Sequence, residues 1–444
     1  MDTNANNNRE SFEDQQVIFV DTHLIQKAVE GLQRAREEFQ TLLEQAEGGD
    51  ASVYYDLGVR YTEGDGTDKD PAQAARWFAL ASEDGDLRAT DLLGRCYQSG
   101  AGVEKDEARA AELFEQAAEQ DYAPAQCDLG LSYENGSGVE KDEARAAECY
   151  LQAAEQDYAP AQTNLAVCYF NGIGVDKDVE CAHQWLEKAA EQKFPRALNI
   201  LGDCHWDGTG VEQDRGEAAR LYRQAAEQDY PPALCNLGLC YEYGEGVAED
   251  KTKAAEWYEK AARRGYAPAQ CNLGFFYDRG VGVAEDAAKA VEWYERAAEQ
   301  GYPRAQCNLG YCYESGKGVK EDKARAVKLY RQAAEQGSSV GQCNLGYCML
   351  KGIGIRPDPA QAVYWFQKAA EGGSGRAMCL LGDCYREGQG VEADAAQART
   401  CYQKAIDLGF DAKEELKELD KAAPAGAAEQ PKKKKSFLGR LFGK

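Results

Sequence analysis

Apolar positions recur along this chain at helical spacing, in paired segments that return every 36 residues. The copy from Pro303 to Gly337 (PRAQCNLGYCYESGKGVKEDKARAVKLYRQAAEQG) displays the pattern. Ala305, Leu309 and Tyr313 stand at i, i+4 and i+8, one apolar stripe, which predicts a helix over the first half. Gly310 lies beside that stripe, where a missing side chain lets a neighbouring helix come close. Gly316 is placed to end the helix in the left-handed conformation. Gly318 follows, then the β-branched Val319, which can pack inward and pin the loop. Asp322 is predicted to cap a second helix, because its carboxylate can accept the free amides of the first turn. Ala326, Leu329, Tyr330 and Ala333 share one face of that helix.

This unit occurs ten times without insertion or deletion. Its leucine is Leu57, Leu93, Leu129, Leu165, Leu201, Leu237, Leu273, Leu309, Leu345 and Leu381. The loop glycines (Gly64 to Gly388, Gly66 to Gly390), the capping aspartate (Asp70 to Asp394) and two small positions (Ala74 to Ala398, Ala81 to Ala405) recur in all ten copies. Small residues allow close helix packing, and Trp77, Trp257, Trp293 and Trp365 are expected to fill space between copies. A fixed period of this length is the mark of a solenoid, so the predicted fold is all-α: ten helix pairs stacked in series, with capping helices.

The motif A-x-C-N-L-G-x-C-Y-x-x-G-x-G-V-x-x-D, read at Ala305 to Asp322, resembles the Sel1-like repeat family, a relative of the tetratricopeptide repeat. Departures are small, such as Ala166 for the glycine and Thr67 for the valine. The resemblance implies a right-handed α/α superhelix with a concave groove that holds protein partners.

The ends differ from the repeats. Residues 1–16 read as disordered and 17–49 as a capping helix, with Leu24, Ile25, Val29, Leu32, Phe39, Leu42 and Leu43 apolar. The segment LLEQAEGGD at its end aligns with the second-helix phase. Repeats occupy 50–409, a polar capping helix 410–422 and a short linker 423–431. The last 13 residues, 432–444, form a tail with six basic residues and no acid. Lys432, Lys433, Lys434 and Lys435 precede Phe437, Leu438, Leu441 and Phe442, which would lie on one side of a helix with Arg440 outside. Three readings of the tail stand: an anionic membrane surface, an acidic protein, or the chain's own repeats.

The net charge of −25 makes nucleic acid an unsuitable partner for the repeats. No signal-like apolar stretch opens the sequence, so the expected location is the cytoplasm, with the tail peripheral at the inner membrane surface. Sixteen cysteines recur mostly two before and three after the repeat leucine, a placement that suits small buried apolar residues better than disulfides. With three histidines and no Cys-x-x-Cys, neither a metal nor a cofactor is expected.

Gly-x-Gly follows a helix rather than a strand and lacks Lys-Ser/Thr, so it reads as loop closure rather than a phosphate cradle. His183 beside Trp185 reads as a packed side chain. Some cysteine-rich relatives are associated with β-lactamase activity, which makes a β-lactamase-like hydrolase the alternative function. Ser-x-x-Lys and Lys-Thr-Gly are absent from the sequence, which argues against it. GVEKDEARAAE occurs at 102–112 and again at 138–148, as after a tandem duplication. A binding surface tolerates an inserted copy; a catalytic site held to about 0.5 Å does not.

The leading expectation is therefore a non-enzymatic scaffold. If first helices line a groove, the positions two and one before the leucine, and two, five and six after it, face a partner. This selects Asn236, Asn272, Asn308 and Asn344, able to bind a peptide backbone, and Phe275, Tyr311 and Tyr347 as aromatic anchors. The alternative for the asparagines is that they brace a neighbouring copy. His205 and Trp206 depart from the repeat consensus; an exposed Trp beside a His is a candidate hot spot, against the plainer reading of drift.

Overall fold

The computed structural model describes residues 22–422, and the chain forms two compact units that part between Glu212 and Gln213. The first contains α1 (Thr22–Glu47), a 3-10 turn (Ala51–Val53), α2 (Tyr54–Glu63), α3 (Pro71–Glu83), α4 (Leu87–Ser99), α5 (Glu107–Ala118), α6 (Ala123–Asn135), α7 (Glu143–Glu155), α8 (Ala159–Asn171), α9 (Val179–Glu191) and α10 (Pro195–Asp207). The second contains α11 (Arg215–Ala226), α12 (Pro231–Tyr243), α13 (Lys251–Arg263), α14 (Ala267–Arg279), α15 (Ala287–Glu299), α16 (Pro303–Ser315), α17 (Lys323–Glu335), α18 (Ser339–Lys351), α19 (Pro359–Glu371), α20 (Gly375–Glu387), α21 (Ala395–Asp407) and α22 (Lys413–Ala422). Among the described residues there is no strand. Within each unit helices pack on their sequence neighbours, and first helices of successive repeats also touch, as α16 touches α18.

Local chemistry sets every boundary. All ten capping aspartates, Asp70 to Asp394, accept a first-turn amide of the helix that follows. Each such cap is worth about 1 kcal/mol. First helices end on glycines in the left-handed region, as at Gly316 with φ 72°. The second loop glycine has a packing task that the sequence did not disclose. A Cβ on Gly138 would lie 1.9 Å from the Glu107 carbonyl oxygen, so the loop rests on the opening turn of the preceding repeat's second helix.

The core of each repeat is a glycine against an aromatic ring. A Cβ at Gly130 would sit 2.6 Å from Cε1 of Tyr150, and one at Gly310 2.6 Å from Cε1 of Tyr330. The fourth repeat, whose Leu-Gly is Leu-Ala, carries Leu186 where the aromatic stands; both Ala166 and Leu186 are fully buried. Ala146, Ala153, Ala326 and Ala333 are likewise buried, which lets helices approach. The tryptophans contribute less to this core than expected: Trp257, Trp293 and Trp365 are half-buried, with Lys260 3.9 Å above Trp257 and Arg296 4.6 Å above Trp293.

α1 stands in the register of a second helix. A Cβ on Gly66 would meet the Ala35 carbonyl oxygen at 2.2 Å, as one on Gly102 would meet that of Pro71 at 2.0 Å. Phe39 and Ala46 are buried beside Trp77 and Leu57. Val29 and Leu32, expected on the packed stripe, are instead 54% and 64% exposed. Second helices in the repeats have 12 or 13 residues and α1 has 26, so its first half extends past the repeat that covers the second.

Candidate functional site

Two of the five phases expected to face a groove are used inside the stack. Cysteines two before the leucine are buried, as Cys127, Cys235, Cys271, Cys307, Cys343 and Cys379 are. Burial pushes the Cys271 thiol up to about 12 and the Cys307 thiol up to about 11. Five after the leucine, Glu134, Glu242 and Glu314 accept the hydroxyls of Tyr150, Tyr258 and Tyr330 at 2.5, 2.5 and 2.8 Å. That buried phenol–carboxylate contact holds the aromatic ring against its glycine.

The asparagines one before the leucine are shared between the stack and the surface. Asn272 donates to Cys235 Sγ at 3.8 Å and Asn308 to Cys271 Sγ at 3.7 Å. Their oxygens face the next repeat: Arg304 Nη1 donates to Asn272 Oδ1 at 3.3 Å, and Arg376 Nη1 to Asn344 Oδ1 at 2.7 Å. The same brace occurs in the first unit, where Arg196 donates to Asn164. The asparagines therefore tie repeat to repeat, and Asn236, Asn272, Asn308 and Asn344 stay half-buried at the surface.

Four first helices of the second unit, α14, α16, α18 and α20, surround a depression of about 580 Å³. Phe275, Asn308, Tyr311 and Asn344, four of the expected partner residues, line it together. Tyr347 lies next to it, with the Arg376 guanidinium 5.8 Å from its ring. Sequence reasoning missed Arg304, Val340 and Arg376 in the lining, all five before a repeat leucine. Val340 is 56% exposed. Asp278 also lines the depression, held by Lys317 at 2.8 Å and Arg279 at 3.2 Å.

His205 and Trp206 lie at the end of α10 in the first unit. The Trp206 side chain is half-buried, not exposed as expected, because its phase turns partly under the neighbouring helices. His205 is half-buried too, and its Nδ1 is enclosed without a hydrogen-bond partner. His183 is packed: Nδ1 lies 3.0 Å from the Val179 carbonyl oxygen and the ring meets Phe170 edge-on at 5.3 Å. The tail residues Lys432 to Phe442 fall outside the described residues, as do 1–16 and 423–431. No helix among the described residues is long and apolar enough to cross a membrane.

A family model described as the Sel1 repeat matches ten consecutive segments, from 51–86 through 375–410. The chain belongs to the Sel1 repeat family. Among solved Sel1 repeat structures, it is similar to c5321, a protective antigen of uropathogenic Escherichia coli strains with an SLR fold. That similarity is 31% identity over 89% of this chain and 99% of the other, with a TM-score of 0.49. A Sel1 repeat protein from Oxalobacter formigenes is 35% identical over 55% of this chain and 96% of its own, with a TM-score of 0.51. No curated protein matches the chain. In Sel1 repeat terms the depression spans the first helices of the seventh to tenth repeats, where consecutive copies carry Pro268, Arg304, Val340 and Arg376 five before the leucine.

Proposed function

We propose that this chain is a non-enzymatic scaffold that holds an extended segment of a partner protein across the first helices of its repeats. The carrying observation is the depression on α14, α16, α18 and α20, where Phe275, Tyr311, Asn308 and Asn344 converge. Aromatic rings offer anchors, and the half-exposed amides offer backbone hydrogen bonds that do not depend on partner sequence. Side chains with catalytic potential are engaged otherwise. Thiols in the stack such as Cys271 and Cys307 are raised by burial, away from the nucleophilic thiolate, and His183 is bound to backbone and ring. Tail residues 432–444 bring the scaffold to an anionic membrane surface, each basic residue contributing about 1 kcal/mol there.

The test is affinity capture with the full chain as bait, compared with a Phe275→Ala/Tyr311→Ala double variant of unchanged helical circular dichroism. Selective loss of captured proteins supports the reading; full retention moves the site elsewhere. For the tail, the full chain is expected to sediment with phosphatidylserine vesicles and residues 1–431 are not. Equal sedimentation removes the membrane role. Nitrocefin hydrolysis by the purified chain would replace the scaffold reading with the hydrolase one.

A further inference from the structure

The row five before the leucine, in the seventh to tenth repeats, reads Pro268, Arg304, Val340 and Arg376. Arg304 and Arg376 repeat the arginine–asparagine brace of Arg196 and Asn164, and the two stand on either side of Val340. Acidic residues outnumber basic ones 76 to 51, and two other cations of this region, Arg279 and Lys317, are paired with Asp278. Arg304 and Arg376 find no described carboxylate; they donate to the neutral amides of Asn272 and Asn344, and Arg376 also lies over the Tyr347 ring. Arg376 Nε is also enclosed without an acceptor. A charged donor left without an acceptor is costly, and a carboxylate removes that cost with a charge-assisted bond.

Each guanidinium leans back over the preceding repeat, onto Asn272 and Asn344. Between them lies Val340, an apolar side chain 56% exposed at the place where its neighbours carry arginine. Phe275, Tyr311 and Asp278 line the same depression, Asp278 being held by Lys317 and Arg279. Five before the leucine the row across α16, α18 and α20 is thus cation, apolar, cation. Asn272 and Asn344 are two repeats apart. Helices in contact lie 8–10 Å apart, so the two cations are separated by roughly 20 Å. An extended peptide rises about 3.3 Å per residue and covers that span in about six residues.

We propose that the depression selects an acidic peptide segment, with carboxylates about six residues apart and an apolar side chain midway. This rests on the groove reading above and names the chemistry of its occupant. The net charge of the chain repels acidic polypeptides in general, so only a segment that places its carboxylates on these two guanidiniums gains from binding.

The experiment is fluorescence anisotropy with the full chain and three labelled nonapeptides: one with two glutamates flanking a central leucine, one with glutamines in their place, and one with lysines. The glutamate peptide is expected to bind at least tenfold more tightly than the glutamine peptide, with the lysine peptide weakest. Arg304→Gln and Arg376→Gln are each expected to weaken the glutamate peptide by about tenfold and to leave the glutamine peptide unchanged. Val340→Ser weakens both glutamate and glutamine peptides. Equal binding of all three peptides, absence of glutamate-peptide binding at about 1 mM, or arginine variants without effect overturns the proposal. The groove reading fails separately. If Phe275→Ala/Tyr311→Ala abolishes partner capture while the arginine variants keep it, the groove stands and its acidic specificity falls. If none of them alters capture, both fall.

Discussion

Gly310→Ala tests the contact that organises every repeat. The added methyl would lie 2.6, 2.9 and 3.1 Å from Cε1, Cδ1 and Cζ of Tyr330. Carbon atoms in contact sit about 3.5–4.0 Å apart, so the overlap approaches 1 Å. The ring cannot turn aside freely, being 1% exposed with its hydroxyl donated to Glu314 at 2.8 Å. Overpacking of this kind costs about 1–3 kcal/mol, and the upper end fits a ring fixed at both ends. Alanine in place of glycine in a helix returns about 1 kcal/mol. The net expectation is a loss of about 2 kcal/mol. The fourth repeat supplies the control, because there alanine (Ala166) faces leucine (Leu186) with both fully buried. Tyr330→Leu alone should cost about 2 kcal/mol through the vacated space and the orphaned Glu314 carboxylate. The double variant Gly310→Ala/Tyr330→Leu should recover at least 1 kcal/mol relative to the sum of the singles, since the methyl then occupies space that the ring has left. Equilibrium urea unfolding of the full chain by circular dichroism reads all four proteins. Strict additivity within about 0.5 kcal/mol would refute the claim that glycine and ring are one packing unit.

Other consequences are quicker to check. Asp121 ends its helix at φ 59°, where other copies place glycine, as at Gly301 with φ 82°; Asp121→Gly should raise stability by about 0.5–1 kcal/mol in thermal unfolding, and a lowered midpoint contradicts the strain argument. Thirteen of the sixteen cysteines are buried, so at pH 8 Ellman's reagent should reach at most Cys96, Cys149 and Cys181 quickly, and the remainder only in urea. Asp91, buried beside Arg95 (3.0 Å), has its carboxyl pushed up to about 7 by burial, against the pull of Arg95. Its folded value lies above the unfolded value of about 3.9, so its contribution to stability is complete below about pH 4 and is lost as pH rises through 7. Asp91→Asn should therefore flatten the pH dependence, gaining on the parent by on the order of 2 kcal/mol between pH 4 and 8; a constant difference across that window defeats the assignment.

The repeat boundaries were legible in the sequence because caps act locally. Asp322 accepts an amide three residues away, and Gly316 supplies a positive φ at its own position. Contacts between helices were less legible, since they depend on pairs separated by 16 to 39 residues. Glu314 was read as a groove residue, yet it accepts Tyr330. A partial signal for this existed: acid accompanies tyrosine in Glu134/Tyr150, Glu242/Tyr258, Asp278/Tyr294 and Glu314/Tyr330, though not in Trp206/Tyr222 or Arg386/Tyr402, whereas Thr62, Gln98 and Leu350 accompany Phe78, Phe114 and Phe366. Ten copies of a unit are an internal alignment, and such pairs vary together because they touch. Trp206 was misjudged as exposed for the same reason, its phase being partly covered.

That internal alignment also separates the residues that build the stack from those free to serve a partner. A position that every copy shares is fixed by the architecture of the stack: the capping aspartate and the loop glycine pressed on the preceding repeat. Such a position cannot distinguish one stretch of surface from another, whatever it touches. The asparagines show the limit case, because Asn272 and Asn308 donate inward to Cys235 and Cys271 while both side chains stay half-buried at the surface. Partner chemistry must then be written where copies are free to differ and side chains reach solvent. Five before the leucine both conditions hold, for the row carries proline, arginine and valine in consecutive copies without disturbing a single cap. A row fixed only by the stack would keep one residue type or drift among solvated ones. Instead it sets two guanidiniums without carboxylates on either side of an exposed valine, in a chain with acid to spare. Arg304 is exposed and Arg376 is half-buried with its Nε enclosed without an acceptor, and an occupant carrying its own carboxylates gives both guanidiniums a charged partner.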